Sequence, residues 1–235
     1  MLTWMGILKV IRFSVPVLLL LVAIPGLGQR SSEGMLDACG GETAVFYHGD
    51  RYALMGIGTQ CWFKENLRTE KYRNGDAIPG VWRKKRWIST STGAQTVNEH
   101  SPDGLLGYGR LYNWFAVADA RGLCPSGFHV PSYDDWTELE NAVGGSWVAG
   151  TALKSFESDS PPWDGANSSG FSALPGGSRF SGNGDFDSLG YSGFWWSSTP
   201  SGVFACCRAL STGSPGVSRD YYDVHYGFSV RCVRD

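Results

Sequence analysis

An apolar leader followed by six cysteines constrains this chain more than any other feature. An exported domain can lean on covalent cross-links, and its fold must then bring cysteines together in pairs. Lys9 and Arg12 precede an apolar run over residues 15–24, and Gly26-Leu27-Gly28 offers a small-x-small cleavage site before Gln29. Pro16 and Pro25 interrupt the run, which is shorter than the roughly 20 residues needed to span a bilayer. Residues 1–28 are therefore expected to be a cleaved signal peptide, 29–38 a linker and 39–235 a single domain, secreted, at the cell surface or in the periplasm, with no membrane insertion after cleavage. Cys39 stands too far from the run to be a lipid-attachment site. The cysteines allow more connectivities than spacing can choose between.

Loss of Lys9 and Arg12 with the leader, and of no acid, moves the formal charge from −2 to −4. Phosphate binding needs clustered Lys and Arg, so no nucleic-acid partner is expected. The one basic run, Arg83-Lys84-Lys85-Arg86 between Trp82 and Trp87, reads as a solvated loop. No C-x-x-C occurs, and His48, His100, His129 and His225 lack metal-ligand spacing, so neither a zinc site nor a cofactor is expected.

From Cys39 onward, abundant Gly, Trp and Tyr with short apolar runs predict many short strands joined by turns. "AVFYHGDRYALMGIG" predicts a hairpin of residues 44–47 and 52–57 about His48-Gly49-Asp50. "QCWFKENLRT" follows as an extended segment, and residues 71–107 read as a long irregular excursion. One helix is expected after Ser132, with Asp134 and Asp135 in its first turn, Trp136, Leu139 and Val143 on one face, and Gly144-Gly145 ending it. A second is expected over residues 111–120, stopped by Gly122. "NSSGFSALPGGSRF" and "GFWWSSTPSG" read as short strands, and "GFSVRCVRD" as the closing strand.

The blocks "IGTQCWFKENLRT", "YGRLYNW", "LCPSGFHVPSYDDWTELE", "NSSGFSALPGG", "FWWSS" and "GFSVRCVRD", in that order, resemble the Fibrobacter succinogenes major paralogous domain family of exported bacterial proteins. Phe128 and Ala166 depart from the family's frequent Trp and Thr as packing changes. The family in turn resembles the C-type lectin-like and sulfatase-modifying-factor superfold. That resemblance implies an α+β domain with short antiparallel strands, two helices and a loop-rich half, whose first and last strands pair. It also implies disulfides Cys124–Cys232 and Cys39–Cys61. It supplies a fold and a compartment more than an activity.

Sulfatase-modifying enzymes of similar fold use cysteine chemistry, which makes Cys206-Cys207 an alternative catalytic site. A reactive thiolate needs a nearby cation, helix N-terminus or metal, and Arg208 is the only cation adjacent in sequence. A vicinal disulfide, two free thiols or linkage to another chain compete with that reading. The Ca²⁺-binding triplets of sugar-binding C-type lectins do not occur here. Asn183, Asp185 and Asp187 alternate as in oxygen-rich Ca²⁺ loops, so calcium-dependent glycan binding stands as a further alternative, behind a plain Asn/Asp/Gly turn. Asn167-Ser168-Ser169 reads as a turn or Asx cap, and Asp134, Asp135, Glu138 and Glu140 as a solvated helix face.

After Trp196 the last 39 residues contain no Lys, Glu, Gln, Met or Trp, against 31 of them before it. Between 203 and 226 residues of framework type, Ala205, Arg208, Leu210, Val217 and Arg219, alternate with an alphabet that resembles the output of adenine-directed mutation, as in the C-type-lectin-fold targets of diversity-generating retroelements. The competing explanation is an accident of a Gly- and Ser-rich β segment. On the first reading Phe204, Cys206, Cys207, Ala209, Ser211, Thr212, Ser214, Ser218, Asp220, Tyr222, Val224 and His225 are varied positions on a ligand face. Trp195, Trp196, Tyr221, Tyr222 and Tyr226 supply aromatic area, with some of them, especially Trp195 or Trp196, expected in the core instead. The expected function is a binding or adhesion module for an extracellular protein or glycan, without catalysis.

Overall fold

The computed structural model describes residues 37–98 and 104–235; the leader expected over 1–28 lies outside them. The strands are β1 (Ala44–Tyr47), β2 (Asp50–Ile57), β3 (Gln60–Phe63), β4 (Gln95–Thr96), β5 (Leu111–Tyr112), β6 (Phe128–His129), β7 (Gly176–Arg179), β8 (Phe186–Leu189), β9 (Ser192–Ser201), β10 (Phe204–Ser211), β11 (Ser218–Asp223) and β12 (Val233–Arg234). The helices are short: α1 (Lys84–Ser89), α2 (Gly104–Tyr108), α3 (Trp114–Val117), α4 (Tyr133–Ala142) and α5 (Ala149–Leu153). The fold is mixed and β-rich. One sheet runs β1-β2-β3-β12-β6, a second β11-β10-β9-β7-β8, and β4 pairs with β5.

Local chemistry explains the elements that form as expected. His48 and Gly49 both take positive φ, 50° and 93°, which a two-residue hairpin turn requires. Tyr47 then pairs with Asp50 and Ala44 with Ala53. Ser132 caps α4: its hydroxyl accepts from the Asp135 amide, and the Asp135 carboxylate accepts from the Ser132 amide at 2.7 Å. Gly144 and Gly145, at φ 106° and 92°, end it.

Three expectations need correction. The helix expected over 111–120 is only α3, because Leu111 and Tyr112 pair with β4 and Asn113 caps a new start by accepting from the Ala116 amide. The basic run is not a loop: Arg83 is the N-cap of α1 and the next three residues lie in it. The closing strand shrinks to β12, which pairs with β3 and β6, so the last strand shares a sheet with the first without touching it.

Two large apolar clusters fill the interior, beside a small third of Val81, Trp87 and Ala94. One joins Tyr52, Phe63, Phe128, Trp196, Cys207 and Phe228, and the other joins Trp62, Trp136, Leu139, Phe171, Trp195 and Leu210. Trp195 and Trp196 are both fully buried, one in each cluster, as alternation along β9 dictates. Both disulfides form between the partners the family resemblance implies, Cys39 with Cys61 and Cys124 with Cys232. Among the described residues no helix is long and apolar enough to cross a membrane.

Candidate functional site

The hairpin of β10 and β11 with its connecting loop carries all of the candidate ligand-facing residues but Val224 and His225, and the loop between the strands sits among the end of α4, α5 and the segment around Trp163. β10 is an inner strand with β9 on one side and β11 on the other, while β11 is the sheet edge. Residues 205–210 are consequently buried on both faces. Cys206, Cys207 and Ala209 therefore present no side chain to solvent, and the accessible face consists of the other nine positions. Phe204, Thr212, Ser218 and Asp220 are exposed; Ser211, Ser214, Tyr222, Val224 and His225 are half-buried.

These nine do not form one patch. Ala209 pairs with Ser218 and Phe204 with Asp223, five residues apart along the strand, so the two ends of the hairpin are separated by about 17 Å at the usual strand rise. One end gathers Ser211, Thr212, Ser214 and Ser218. At the other, Tyr222 packs edge-on against Phe194 and Tyr226, and His225 meets Phe115 at 5.2 Å while its Nδ1 lies 2.8 Å from Asp223 Oδ1. Exposed Tyr221 and Phe204 add apolar surface there.

Adjacent strand residues point to opposite faces, and this decides the state of the thiols. Cys207 enters the core beside Trp196, and Cys206 faces α4, where its sulfur accepts from Arg208 Nη1 at 3.2 Å; both are free. Of the competing readings, only two separate thiols fit this geometry. Burial pushes both thiol pKa values up, against the partial opposition of Arg208, the reverse of what a nucleophilic cysteine needs. Ellman's reagent is accordingly expected to find no reactive thiol in the native protein and two after denaturation. Rapid modification of the folded protein would contradict this placement.

The loop between the strands is held through its main chain. Lys154, almost wholly buried, donates from Nζ to the carbonyls of Ser211 (3.1 Å) and Ser214 (3.0 Å) and to Asp164 Oδ1 (2.7 Å). The other Asp164 oxygen accepts from the Gly213 amide at 2.6 Å. Burial alone would raise the Asp164 carboxyl, but the Gly213 amide and Lys154 outweigh it and hold it below its ordinary value. The Pro215 carbonyl accepts from Thr151 N, and Val217 N donates to the Ser146 carbonyl. Of the loop's own side chains, Thr212 accepts from Trp163 Nε1 and Ser211 meets Ser192. A loop positioned by backbone atoms keeps its shape when side chains such as Ser214 and Ser218 change. The residues that position it were not singled out from sequence; a lone lysine in the mostly apolar stretch "TALKSF" was the available signal.

The solvated-face reading of α4 fails at Glu140. This carboxylate is fully buried, takes Arg208 Nε at 2.6 Å on one oxygen and Arg219 on the other, and so joins α4 to both hairpin strands. Arg208 and Arg219 are direct partners across the hairpin, an arrangement that like charges destabilise without an intervening acid.

The remaining candidates are local structure. Asn183 accepts from the Asp185 amide, Asp185 pairs with Lys84, and Asp187 accepts from the Ser188 amide. Among the described residues no group of three or more His, Cys, Asp or Glu side chains is placed to hold a metal ion. Asn167, at φ 47°, accepts from the Ser172 amide and donates to Asp159, as a turn residue does.

The family model described as the Fibrobacter succinogenes major domain matches residues 55–234. No curated protein and no solved structure matches the chain.

Proposed function

The chain belongs to the Fibrobacter succinogenes major domain family, and from that premise we propose that the mature protein is an exported binding or adhesion module whose recognition surface is the β10–β11 hairpin and its connecting loop. The observation that carries this reading is the main-chain anchoring of residues 211–217 by Lys154, Asp164, Thr151 and Ser146. A surface ordered before its ligand arrives loses little conformational entropy on binding. The scaffold is of C-type lectin-like type on this reading, with the loop-rich half presenting the hairpin. The restricted residue alphabet after Trp196 fits a hairpin diversified at its outward positions by a retroelement, with Ala205, Arg208, Leu210 and Arg219 as constant framework. Two disulfides are compatible with an extracellular or periplasmic location. The buried, pKa-raised thiols favour this reading over a cysteine-dependent oxidase.

The test uses the mature protein and arrays of immobilised glycans and extracellular proteins. Ser218→Arg, Asp220→Ala and Tyr222→Ala are expected to weaken whatever saturable binding is found by about tenfold or more for at least one position, while thermal unfolding of Ser218→Arg and Asp220→Ala stays within a few degrees of the parent. Binding indifferent to all three substitutions would refute the assignment of this surface.

A further inference from the structure

Trp147 follows the glycine pair that ends α4 and is 88% exposed, more than any other large apolar side chain among the described residues. It forms one wall of a groove of about 430 Å³, within the usual range for ligand pockets, whose other walls are Ser146 and the hairpin loop from Ser214 to Arg219. The floor is backbone against backbone. Val217 N donates to the Ser146 carbonyl at 2.8 Å, Thr151 N donates to the Pro215 carbonyl at 3.0 Å, and a Cβ on Gly150 would stand 2.3 Å from the Gly216 carbonyl oxygen. The groove is thus built before any ligand arrives.

Its chemistry is narrow. The hydroxyls of Ser146, Ser214 and Ser218 make no hydrogen bond within the described residues. Arg219, the one ionised side chain at the rim, is turned inward onto Glu140 and Tyr133. An indole beside three solvent-accessible hydroxyls without a protein partner, with no free charge, matches a flat ring that is apolar on its face and hydroxylated at its edge. An aliphatic ligand would leave the serines unpaired, and an ionic one would find no counter-charge. We propose that this groove binds a neutral saccharide ring, stacked through its C–H face on Trp147 and hydrogen-bonded at its edge by Ser146, Ser214 and Ser218. The inference rests on the binding-module reading and names its ligand class and anchor.

The test titrates the mature protein with neutral tetrasaccharides of glucose, mannose, galactose and N-acetylglucosamine, read by calorimetry and tryptophan fluorescence. At least one is expected to saturate. Trp147→Ala is expected to weaken that binding by about tenfold or more, Trp147→Tyr to retain most of it, and Trp82→Ala, at a separate exposed indole, to leave it unchanged. Truncating so exposed a side chain leaves the fold intact, which a thermal melt verifies. The inference is overturned if none of the four saturates, or if binding survives Trp147→Ala. Saccharide or protein binding that falls with Tyr222→Ala but not with Trp147→Ala would overturn it while leaving the hairpin reading standing.

Discussion

Glu140→Gln is expected to lower the stability of this domain by about 3–5 kcal/mol. Glu140 and Arg208 are both fully buried, and the guanidinium of Arg208 makes its remaining contacts with neutral groups, Cys206 Sγ, the Cys207 and Tyr133 carbonyls, Thr137 Oγ1 and the Tyr133 ring. Without the carboxylate's charge, Arg208 becomes a buried cation facing a second cation, Arg219, directly across the strands. Domains are stable by only about 5–15 kcal/mol in total, so the loss is a large fraction, and a melting temperature lower by about 10 °C is expected for a chain of this size. Glu138→Gln is the control: its contact with Thr59 is exposed, and surface interactions of this kind contribute about 1 kcal/mol or less. Replacing Glu140 by Leu together with Arg208 by Met is expected to recover most of the loss, because the one charge then left without its partner, Arg219, is half-exposed and can be solvated. A Glu140→Gln melt indistinguishable from that of Glu138→Gln would mean that the carboxylate does not hold the hairpin to the helix.

The parts of the fold that are legible in the sequence are those whose causes are local. The β1–β2 hairpin is written in His48-Gly49 with apolar residues to either side, and α4 in Ser132, Asp135 and the glycine pair. The excursion over 71–107 has no such signal, since side chains distant in sequence shape it. Arg110 donates to the Arg68 carbonyl at 2.7 Å and to Gln95 Oε1 at 2.8 Å, and Arg179 donates to the carbonyls of Val81 and Trp82. Periodicity does not report a guanidinium that holds a carbonyl about a hundred residues away. Glu140 was misread for the same reason: its position on the helix is evident, but its burial follows from two arginines that only strand pairing brings near.

The candidate surface shows the same division. Sequence alphabet located the hairpin and separated Arg208 and Arg219, which are structural, from Ser214 and Ser218, which face outward. It did not distinguish an inner strand from an edge strand. For that reason it placed Cys206, Cys207 and Ala209 on a surface from which β9, β11 and α4 exclude them. Trp147 carries no signal of its own in the sequence, because a tryptophan is expected in the core and only the loop geometry leaves this one exposed beside residues 214–219.

Replacing Cys124 and Cys232 together by Ala is expected to cost more than replacing Cys39 and Cys61. The bond between Cys124 and Cys232 closes a loop 108 residues apart in sequence, for which the chain-entropy relation gives about 4.8 kcal/mol, against about 3.4 kcal/mol for the separation of 22 between Cys39 and Cys61. The structure enlarges the difference. β12 is two residues long, pairs with β3 at the single position Val233–Trp62, and meets β6 at two positions, yet it is the strand that joins β6 to the rest of its sheet. Cys232 immediately precedes it, and the sulfur pair lies in the apolar cluster with Tyr52, Phe63 and Phe128. Few backbone hydrogen bonds remain to hold that strand once the covalent tie is removed. The Cys39–Cys61 bond instead secures the segment ahead of β1 to β3, whose pairing with β2 runs over four positions and survives without it. Thermal or urea unfolding of the two double variants, with the parent measured in the presence and absence of a reductant, decides the matter. The order is expected to be parent, then Cys39→Ala/Cys61→Ala, then Cys124→Ala/Cys232→Ala, with the fully reduced protein, which loses both ties, below all three. The reverse order would mean that the Cys39–Cys61 tie, and not the link to the short strand β12, governs the stability of this fold.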